Sequence, residues 1–413
     1  MSRLALLGGN PVRREPLFSW PAHDEREVQA VEEVVRSGDW GGIPGRRAQA
    51  FAADFAALHG AKYGICSVNG TTALEIALKA LGVGPGDEVI VPALTFYATA
   101  SAAIFLNARV VIADVDPDTY AISPDAVEKL ITDRTAAIMP VHLYGSIADL
   151  SAILDLARRH NVLVVEDCAH MHGGRWRGRG VGSWGDAAGF SLQQSKAMTS
   201  GEGGITLTND GAVNEVCHSL INCGRFREGD VIRKEVLGWN YRITELQAAI
   251  LRVQLERLPE QNQRKRANAE RLENRLRELP GIELLTVYEG VTARAFYCYA
   301  LKYVGAEQTG VSRQRFCEAV RAEGIPLWPG TYPPLNRLPL YTEWEQRTAR
   351  YIYGGEIDLR QYPTPNADRA AEQEAVLMPH HALLADEPGI EDVADAIEKV
   401  IENASELAKS DES

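Results

Sequence analysis

At 413 residues, with 45% hydrophobic and 24% charged side chains, the sequence has the composition of an ordinary soluble globular protein, and it is long enough that two domains are expected. A formal net charge of −13 argues against nucleic acid or an anionic membrane as the main partner, and no stretch approaches the roughly 18 uninterrupted apolar residues of a membrane span. Six cysteines without C-x-x-C spacing (Cys66, Cys168, Cys217, Cys223, Cys298, Cys317) indicate reduced thiols, no metal site and no disulfide framework, and the apolar run near Met1 is too short for a signal peptide, so a cytoplasmic location is expected.

Residues 1–22 read as irregular, punctuated by Pro11, Pro16 and Pro21. Asp24 to Ser37 has helical spacing, with Val28, Val31 and Val34 apolar among charges. Trp40 to Arg47 is a loop whose paired Arg46 and Arg47 suit an anion, although a solvated loop accounts for them equally well. Ala48 to His59 is a second helix. A strand at Tyr63–Val68, a tight turn at Asn69–Thr72 and a helix at Ala73–Leu81 follow. Backbone N–H groups at such a helix start, beside Gly70 and the hydroxyls of Thr71 and Thr72, make an anion site suited to phosphate. Plain N-capping by threonine is the structural alternative.

Val89–Val91 is a short buried strand ending in Pro92-Ala-Leu-Thr-Phe96, and Ala98–Leu106 is helical. Arg109–Ala113 is a strand and Pro124–Ile131 a helix. Ala136–Val141 is a strand leading to His142-Leu-Tyr144, Leu150–His160 a helix, and Val162–Val165 a strand leading to Glu166-Asp167-Cys-Ala-His170. Strands that are continuous apolar runs, alternating with helices at short spacing, predict an α/β fold with a parallel-rich sheet covered on both faces. Ligands in such sheets sit beyond the carboxyl ends of the strands. Thr71, Phe96 and Asp167 all fall there.

Gly189–Leu192 ends another strand. Lys196 follows in a polar, turn-rich loop, with Gly201, Gly203 and Gly204 close behind, before the strand Ile205–Thr208. A lysine held between two strands is desolvated enough to act as an amine nucleophile, which Schiff-base formation with an aldehyde cofactor requires. A solvated loop lysine is the bland alternative. Thr244 to Leu279 is helical and expected to break or kink at Pro259. The chain therefore divides into a large domain over 1–260, with an N-terminal arm, and a smaller α+β domain over 261–413. The latter has a strand at Phe296–Leu301, a helix at Ser312–Glu323, a proline-rich loop at Pro326–Pro334 and a closing helix at Gly389–Glu402. Glu406–Ser413 reads as a frayed tail.

Several of these residues make sense together. An aspartate paired with a pyridinium nitrogen keeps that nitrogen protonated, and the ring then acts as an electron sink for a neighbouring carbanion. Asp167 is the candidate acid and Lys196 the amine that also moves the proton. Gly70, Thr71, Thr72 and Ser191 are candidate phosphate anchors, and Phe96 a wall for a flat ring. Each has a structural alternative: Asp167 a helix cap, Phe96 core, Ser191 a buried strand hydroxyl. Jointly they describe a pyridoxal 5'-phosphate pocket.

Three runs, Glu166–His170, Phe190–Gly204 and Gly238-Trp-Asn-Tyr-Arg-Ile-Thr-Glu245, resemble the DegT/StrS family of pyridoxal-phosphate-dependent sugar and cyclitol aminotransferases. The resemblance covers nearly the whole chain. It implies the fold-type I, aspartate-aminotransferase-like architecture: a large domain with a mixed, mostly parallel sheet and a smaller α+β C-terminal domain. It also implies that Lys196 carries the cofactor, Asp167 pairs with its ring nitrogen, Phe96 stacks on the ring, and Thr71, Thr72 and Ser191 hold the phosphate. His170 would lie near the ring face or its hydroxyl. Asn240 would reach the neighbour's phosphate in a homodimer with shared active sites.

Within the family, Gln193-Gln194 before Ser195, the tail Ser200–Gly204, Tyr332-Pro-Pro334 and Pro379–Pro388 are similar to L-glutamine:scyllo-inosose and 2-deoxy-scyllo-inosose aminotransferases of aminoglycoside biosynthesis, and also to 3-amino-5-hydroxybenzoate synthases. The implied reaction takes the α-amino group of L-glutamine, or of L-glutamate, and gives it to a cyclic keto acceptor. A neutral polyhydroxylated ketone calls for hydrogen-bonding side chains, for which His142, Tyr144, Tyr332, His380 and His381 are candidates, with Arg46 or Arg47 for the donor carboxylate. One rival is transfer to a nucleotide-linked keto-sugar, kept open by the basic runs Arg175–Arg179 and Arg225–Arg227. Another is an aminohydroxybenzoate synthase. From a different class comes a catalytically silent cofactor-binding partner or regulator, against which the Lys196 and Asp167 pair argues.

Overall fold

The computed structural model describes residues 3–41, 45–227 and 236–410. The middle of the expected Trp40–Arg47 loop, the first two residues of the expected irregular arm and the end of the expected frayed tail lie outside the described residues.

Apolar runs of Val, Ile and Ala form a seven-stranded sheet. Its strands are β1 (Tyr63–Ser67), β2 (Glu88–Pro92), β3 (Arg109–Ala113), β4 (Thr135–Ile138) and β5 (Leu163–Asp167), then, beyond a short hairpin β6 (Arg175–Trp176) and β7 (Arg179–Gly180), β8 (Ala187–Ser191) and β9 (Gly204–Thr208). The spatial order is β1-β9-β8-β5-β4-β2-β3. Pairs β3–β2, β2–β4, β4–β5 and β5–β8 are parallel, and β9 runs antiparallel to both neighbours. Helices follow the strands at Gly70–Ala80, Ala98–Ile104, Pro124–Glu128 and Leu150–His160. β2, β8 and β9 are buried at every position, as a sheet covered on both faces requires.

A second sheet gathers β10 (Ile282–Leu284), β12 (Cys298–Tyr303), β13 (Trp328–Pro329) and β14 (Ala375–Pro379), all antiparallel, in the order β10-β12-β14-β13; β11 (Val291–Ala293) pairs with β6. Two large cores result. One joins the main sheet to Leu335, Ile357 and Leu359 from late in the chain. The other joins Leu272, Phe316, Val393 and Val400 to Leu4. Leu4 is wholly buried, and the buried Glu323 carboxylate accepts the N–H groups of Ala5 (2.8 Å) and Val12 (3.1 Å) and pairs with Lys399 (2.8 Å).

The helix Glu245–Leu276 runs unbroken through Pro259, where a break or kink is expected from sequence, and it spans residue 260, where the sequence reading divides the chain. Pro259 is exposed, so its ring meets water and not packed neighbours. The helix begins with a capping box of Thr244 and Gln247. The helix expected to reach Ile131 stops at Glu128, and Ala404–Ser410 is helical where a frayed tail is expected. Helices at Gly211–Ile221 and Glu343–Tyr353 were not foreseen. No helix among the described residues is long and apolar enough to cross a membrane.

Candidate active site

A cavity of about 530 Å³ opens at the carboxyl ends of β1, β2, β5 and β8, where the sequence rule puts a ligand. Asp167 is the last residue of β5. Its backbone is pinned on both sides, since its N–H donates to the carbonyl of Pro140 (2.9 Å) and its carbonyl accepts from His142 (3.0 Å). Its carboxylate accepts from the Thr99 hydroxyl (2.8 Å) and the Ala169 N–H (3.0 Å). Burial pushes the carboxyl up from the ordinary range, and those donors and the Lys196 amine pull it back. A buried carboxylate so placed is stabilised by a cationic partner.

Lys196 sits in the loop between β8 and β9, 8% exposed, with its amine 4.2 Å from the centre of the Tyr297 ring. Burial lowers its pKa to about 8, while Asp167 and Cys298 oppose the fall. At neutral pH a far larger fraction of this amine is unprotonated than of an exposed lysine.

Asn69 caps the helix Gly70–Ala80, accepting the Thr72 N–H (2.9 Å). Gly70 and Thr71 line the cavity at this helix start, and Ser191, at the end of β8, faces them. A Cβ on Gly70 would lie 2.6 Å from the Ser191 Cβ, so the close approach of the two elements requires glycine. Phe96, 43% exposed, stands on one side of the cavity, 5.5 Å from Tyr332. His170 stands within it, 4.0 Å from Tyr297, and its buried Nδ1 has no hydrogen-bond partner among the described residues. A buried acid, a desolvated amine, a helix start beside a serine hydroxyl, an aromatic wall and an imidazole lacking a partner fit a phosphorylated pyridine aldehyde in size and chemistry.

The structure thus brings Gly70, Thr71, Phe96, Asp167, His170, Ser191, Lys196 and Tyr332 together around one cavity. The other candidates lie elsewhere. The Thr72 hydroxyl closes the helix cap, donating to the Asn69 carbonyl (2.8 Å). His142 is buried behind Asp167 with both nitrogens taken: Nδ1 accepts from Ala148 (3.2 Å), and Nε2 lies 3.1 Å from Glu166. Glu166 in turn accepts from Gly182, Trp184 and Gly185, so His142 and Glu166, which lie beside Cys168, spend their donors and acceptors on the fold. Tyr144 is buried behind Tyr332, whose N–H its hydroxyl accepts (3.4 Å). His380 lies under the Lys196 loop, with His381 beside it. Arg47 is tied to Glu245 (3.7 Å) at the start of the long helix, and Arg46 is exposed. Asn240 is exposed and bridged to Asn222. Of the basic runs, Arg175 caps the Gly178 and Leu58 carbonyls and Arg227 pairs with Glu215; neither lines the cavity.

Sequence reasoning missed Thr99 and Tyr297, and it named the runs holding Gln193, Ser195 and Glu202 without giving those residues a place in the site. Thr99 follows Phe96 by less than one helical turn, a signal available from the strand-end rule. Tyr297 comes from the second sheet's approach, and nothing local marks it.

Residues 21–398 match the model of the DegT/DnrJ/EryC1/StrS aminotransferase family. A Streptoalloteichus tenebrarius protein, provisionally named an L-glutamine:3-amino-2,3-dideoxy-scyllo-inosose aminotransferase, is 42% identical over 98% of this chain and 99% of its own length. The L-glutamine:2-deoxy-scyllo-inosose aminotransferase of Micromonospora echinospora is 40% identical over 98% of this chain and 100% of its own. Among solved structures, 3-amino-5-hydroxybenzoic acid synthase superposes with a TM-score of 0.83 at 32% identity, covering 94% of this chain and 100% of that one.

Proposed function

This chain belongs to the DegT/DnrJ/EryC1/StrS aminotransferase family, and from that premise we propose that it moves the α-amino group of L-glutamine onto a cyclic polyhydroxy ketone of the inosose type. It is a pyridoxal 5'-phosphate-dependent aminotransferase of fold-type I architecture. When bound, the cofactor supplies an electron sink for the carbon that loses its proton. Lys196 would hold the cofactor through its amine, and the same amine would hold and move a proton at the reacting carbon. Asp167 would pair with the ring nitrogen and favour its cationic form. Gly70, Thr71 and Ser191 would hold the phosphate, with the positive end of the helix behind them. Phe96 would cover the ring, and His170, whose Nδ1 has no partner among the described residues, would lie near the ring face or its hydroxyl.

The observation that carries the acceptor is the charge of the lining. Among the described residues, Lys196 is its one basic side chain, beside Asp167 and Glu202 as the acids; the rest are hydroxyls, amides, an imidazole and apolar groups, including Gln193, Ser195, Tyr297 and Tyr332. A diphosphate would need cations there, whereas a neutral polyol needs hydrogen-bond partners. That favours the cyclic ketone over a nucleotide-linked sugar. Asn240, exposed, and Phe96 and Tyr97, half-exposed at the mouth, support a homodimer in which a second copy completes each site. The spacing of the six cysteines, read as reduced thiols, supports a cytoplasmic enzyme.

The test is a product assay. Cofactor-loaded protein with L-glutamine and scyllo-inosose or 2-deoxy-scyllo-inosose should yield an aminocyclitol, detected by mass spectrometry, and the 2-oxo acid of glutamine. Turnover of a nucleotide-linked keto-sugar with neither inosose accepted would overturn the acceptor. Turnover with glutamate and none with glutamine would overturn the donor.

A further inference from the structure

The loop that carries Lys196 is held from behind by three side chains that the proposed chemistry does not use. His172 Nε2 lies 2.8 Å from the carbonyl oxygen of Ser191, Trp20 donates its Nε1–H to the carbonyl of Gln194 (2.9 Å), and His380 Nε2 lies 3.2 Å from the carbonyl of Ser195. A carbonyl only accepts, so both histidines carry their proton on Nε2. Their Nδ1 atoms are then acceptors, and both are buried with no partner among the described residues. Trp20 and His380 meet edge to face at 4.5 Å.

Lys265 stands behind this set, on the long helix. It is wholly buried, its amine lies 5.7 Å from the centre of the Trp20 ring, and that amine has no hydrogen-bond partner among the described residues. Asn262, one turn earlier, donates to the carbonyl of His172 (2.7 Å) and has its own Oδ1 unpartnered. One region between helix and loop therefore contains a buried donor without acceptors and several buried acceptors without donors. Leaving such groups unmade is costly, and a polar region of this kind is where internal water bridges. Burial first, then the neighbouring His59, Lys196 and Lys265, keep His172 neutral; burial first, then Lys265, His381 and His172, keep His380 neutral.

We propose that Lys265 is a positioning residue for Lys196. Through internal water its amine serves the Nδ1 atoms of His172 and His380, which locks both rings with Nε2–H on the loop carbonyls and so fixes where the Lys196 amine points. This deepens the reading of Lys196 as the cofactor lysine and rests on it.

The experiment uses the full-length protein loaded with pyridoxal 5'-phosphate. Lys265→Met keeps the reach of the side chain and removes the amine. His380→Gln keeps a side-chain N–H donor, and His380→Leu removes it. The readouts are the pH midpoint of the visible absorbance of the lysine-bound cofactor, kcat and KM for glutamine, and Tm. K265M and H380L should move the midpoint by about half a unit or more and lower kcat about ten- to a hundredfold, the cost of misplacing a reacting group, with KM for glutamine held within about twofold. H380Q should restore both. Variants that keep the wild-type midpoint and kcat, or that lose Tm alone, overturn the inference. Should K265M fail to fold, the H380Q and H380L pair decides. A wild-type protein without a lysine-bound absorbance band sinks the underlying reading of Lys196 and this inference with it; a wild-type band with unmoved variants sinks this inference alone.

Discussion

Gly70→Ala probes the phosphate site with one methyl group. The added Cβ would sit 2.6 Å from the Cβ of Ser191 and 3.0 Å from its Cα. Carbon atoms rest about 3.5–4.0 Å apart, so the helix start and the end of β8 must separate by about 1 Å. The second of these contacts is with backbone, which has no rotamer by which to escape. Overfilling a packed site costs about 1–3 kcal/mol. If the strain falls on the arrangement that holds phosphate, binding weakens about five- to a hundredfold, at about 1.4 kcal/mol per factor of ten. The assay is a titration of the apo-protein with pyridoxal 5'-phosphate and, separately, with pyridoxal, following absorbance. Affinity for the phosphorylated form should fall by that factor and affinity for pyridoxal should hold. Wild-type affinity for the phosphorylated cofactor, or an equal loss for both, would refute the assignment of this helix start to phosphate.

Thr71→Ala and Thr72→Ala should separate binding from capping: the first weakens cofactor binding with Tm unchanged, and the second costs about 1 kcal/mol of stability in urea unfolding, because its hydroxyl serves the cap. Lys196 in the apo-protein should react with an amine-directed label with a pH midpoint near 8, where an exposed lysine reacts near about 10.4. Asp167→Asn removes a charge that favours the protonated amine, so the midpoint should fall further, as peptide mass spectrometry would reveal. Burial opposes ionisation of Glu166, yet hydrogen bonds from His142, Gly182 and Gly185 win and hold its carboxyl below the usual range. Its folded-state value is therefore depressed, so its contribution is present above the unfolded value and lost as pH falls through the folded one. Glu166→Gln leaves at least one of these N–H groups without an acceptor, and should cost about 2–4 kcal/mol at pH 7 and less in acid, read from urea unfolding at both.

The main sheet was legible because its strands are uninterrupted apolar runs with helices between them, and Arg109–Ala113 and Leu150–His160 were bounded to the residue. At Pro259 the helix continues without the expected break, the proline facing water. The cavity residues that follow strands were legible for the same reason the strands were. Tyr297 was not, since the second sheet delivers it and no spacing in the sequence reports that delivery. His142 and Tyr144 looked like hydrogen-bonding groups for a ligand; both are hydrogen-bonding groups whose partners belong to the chain itself. Residue type discloses the capacity to bond, and the fold decides with whom.

Leu4 shares a core with Val400, and Glu323 secures Ala5 and Val12. A ribosome adding about 5–20 residues per second needs about 20–80 s to get from one end of that packing to the other. For that interval Leu4 lacks the late residues it packs against. The small lobe therefore cannot finish until the helix Glu387–Glu402 has been made; its core closes only when residues 4–12 meet that helix and Glu323.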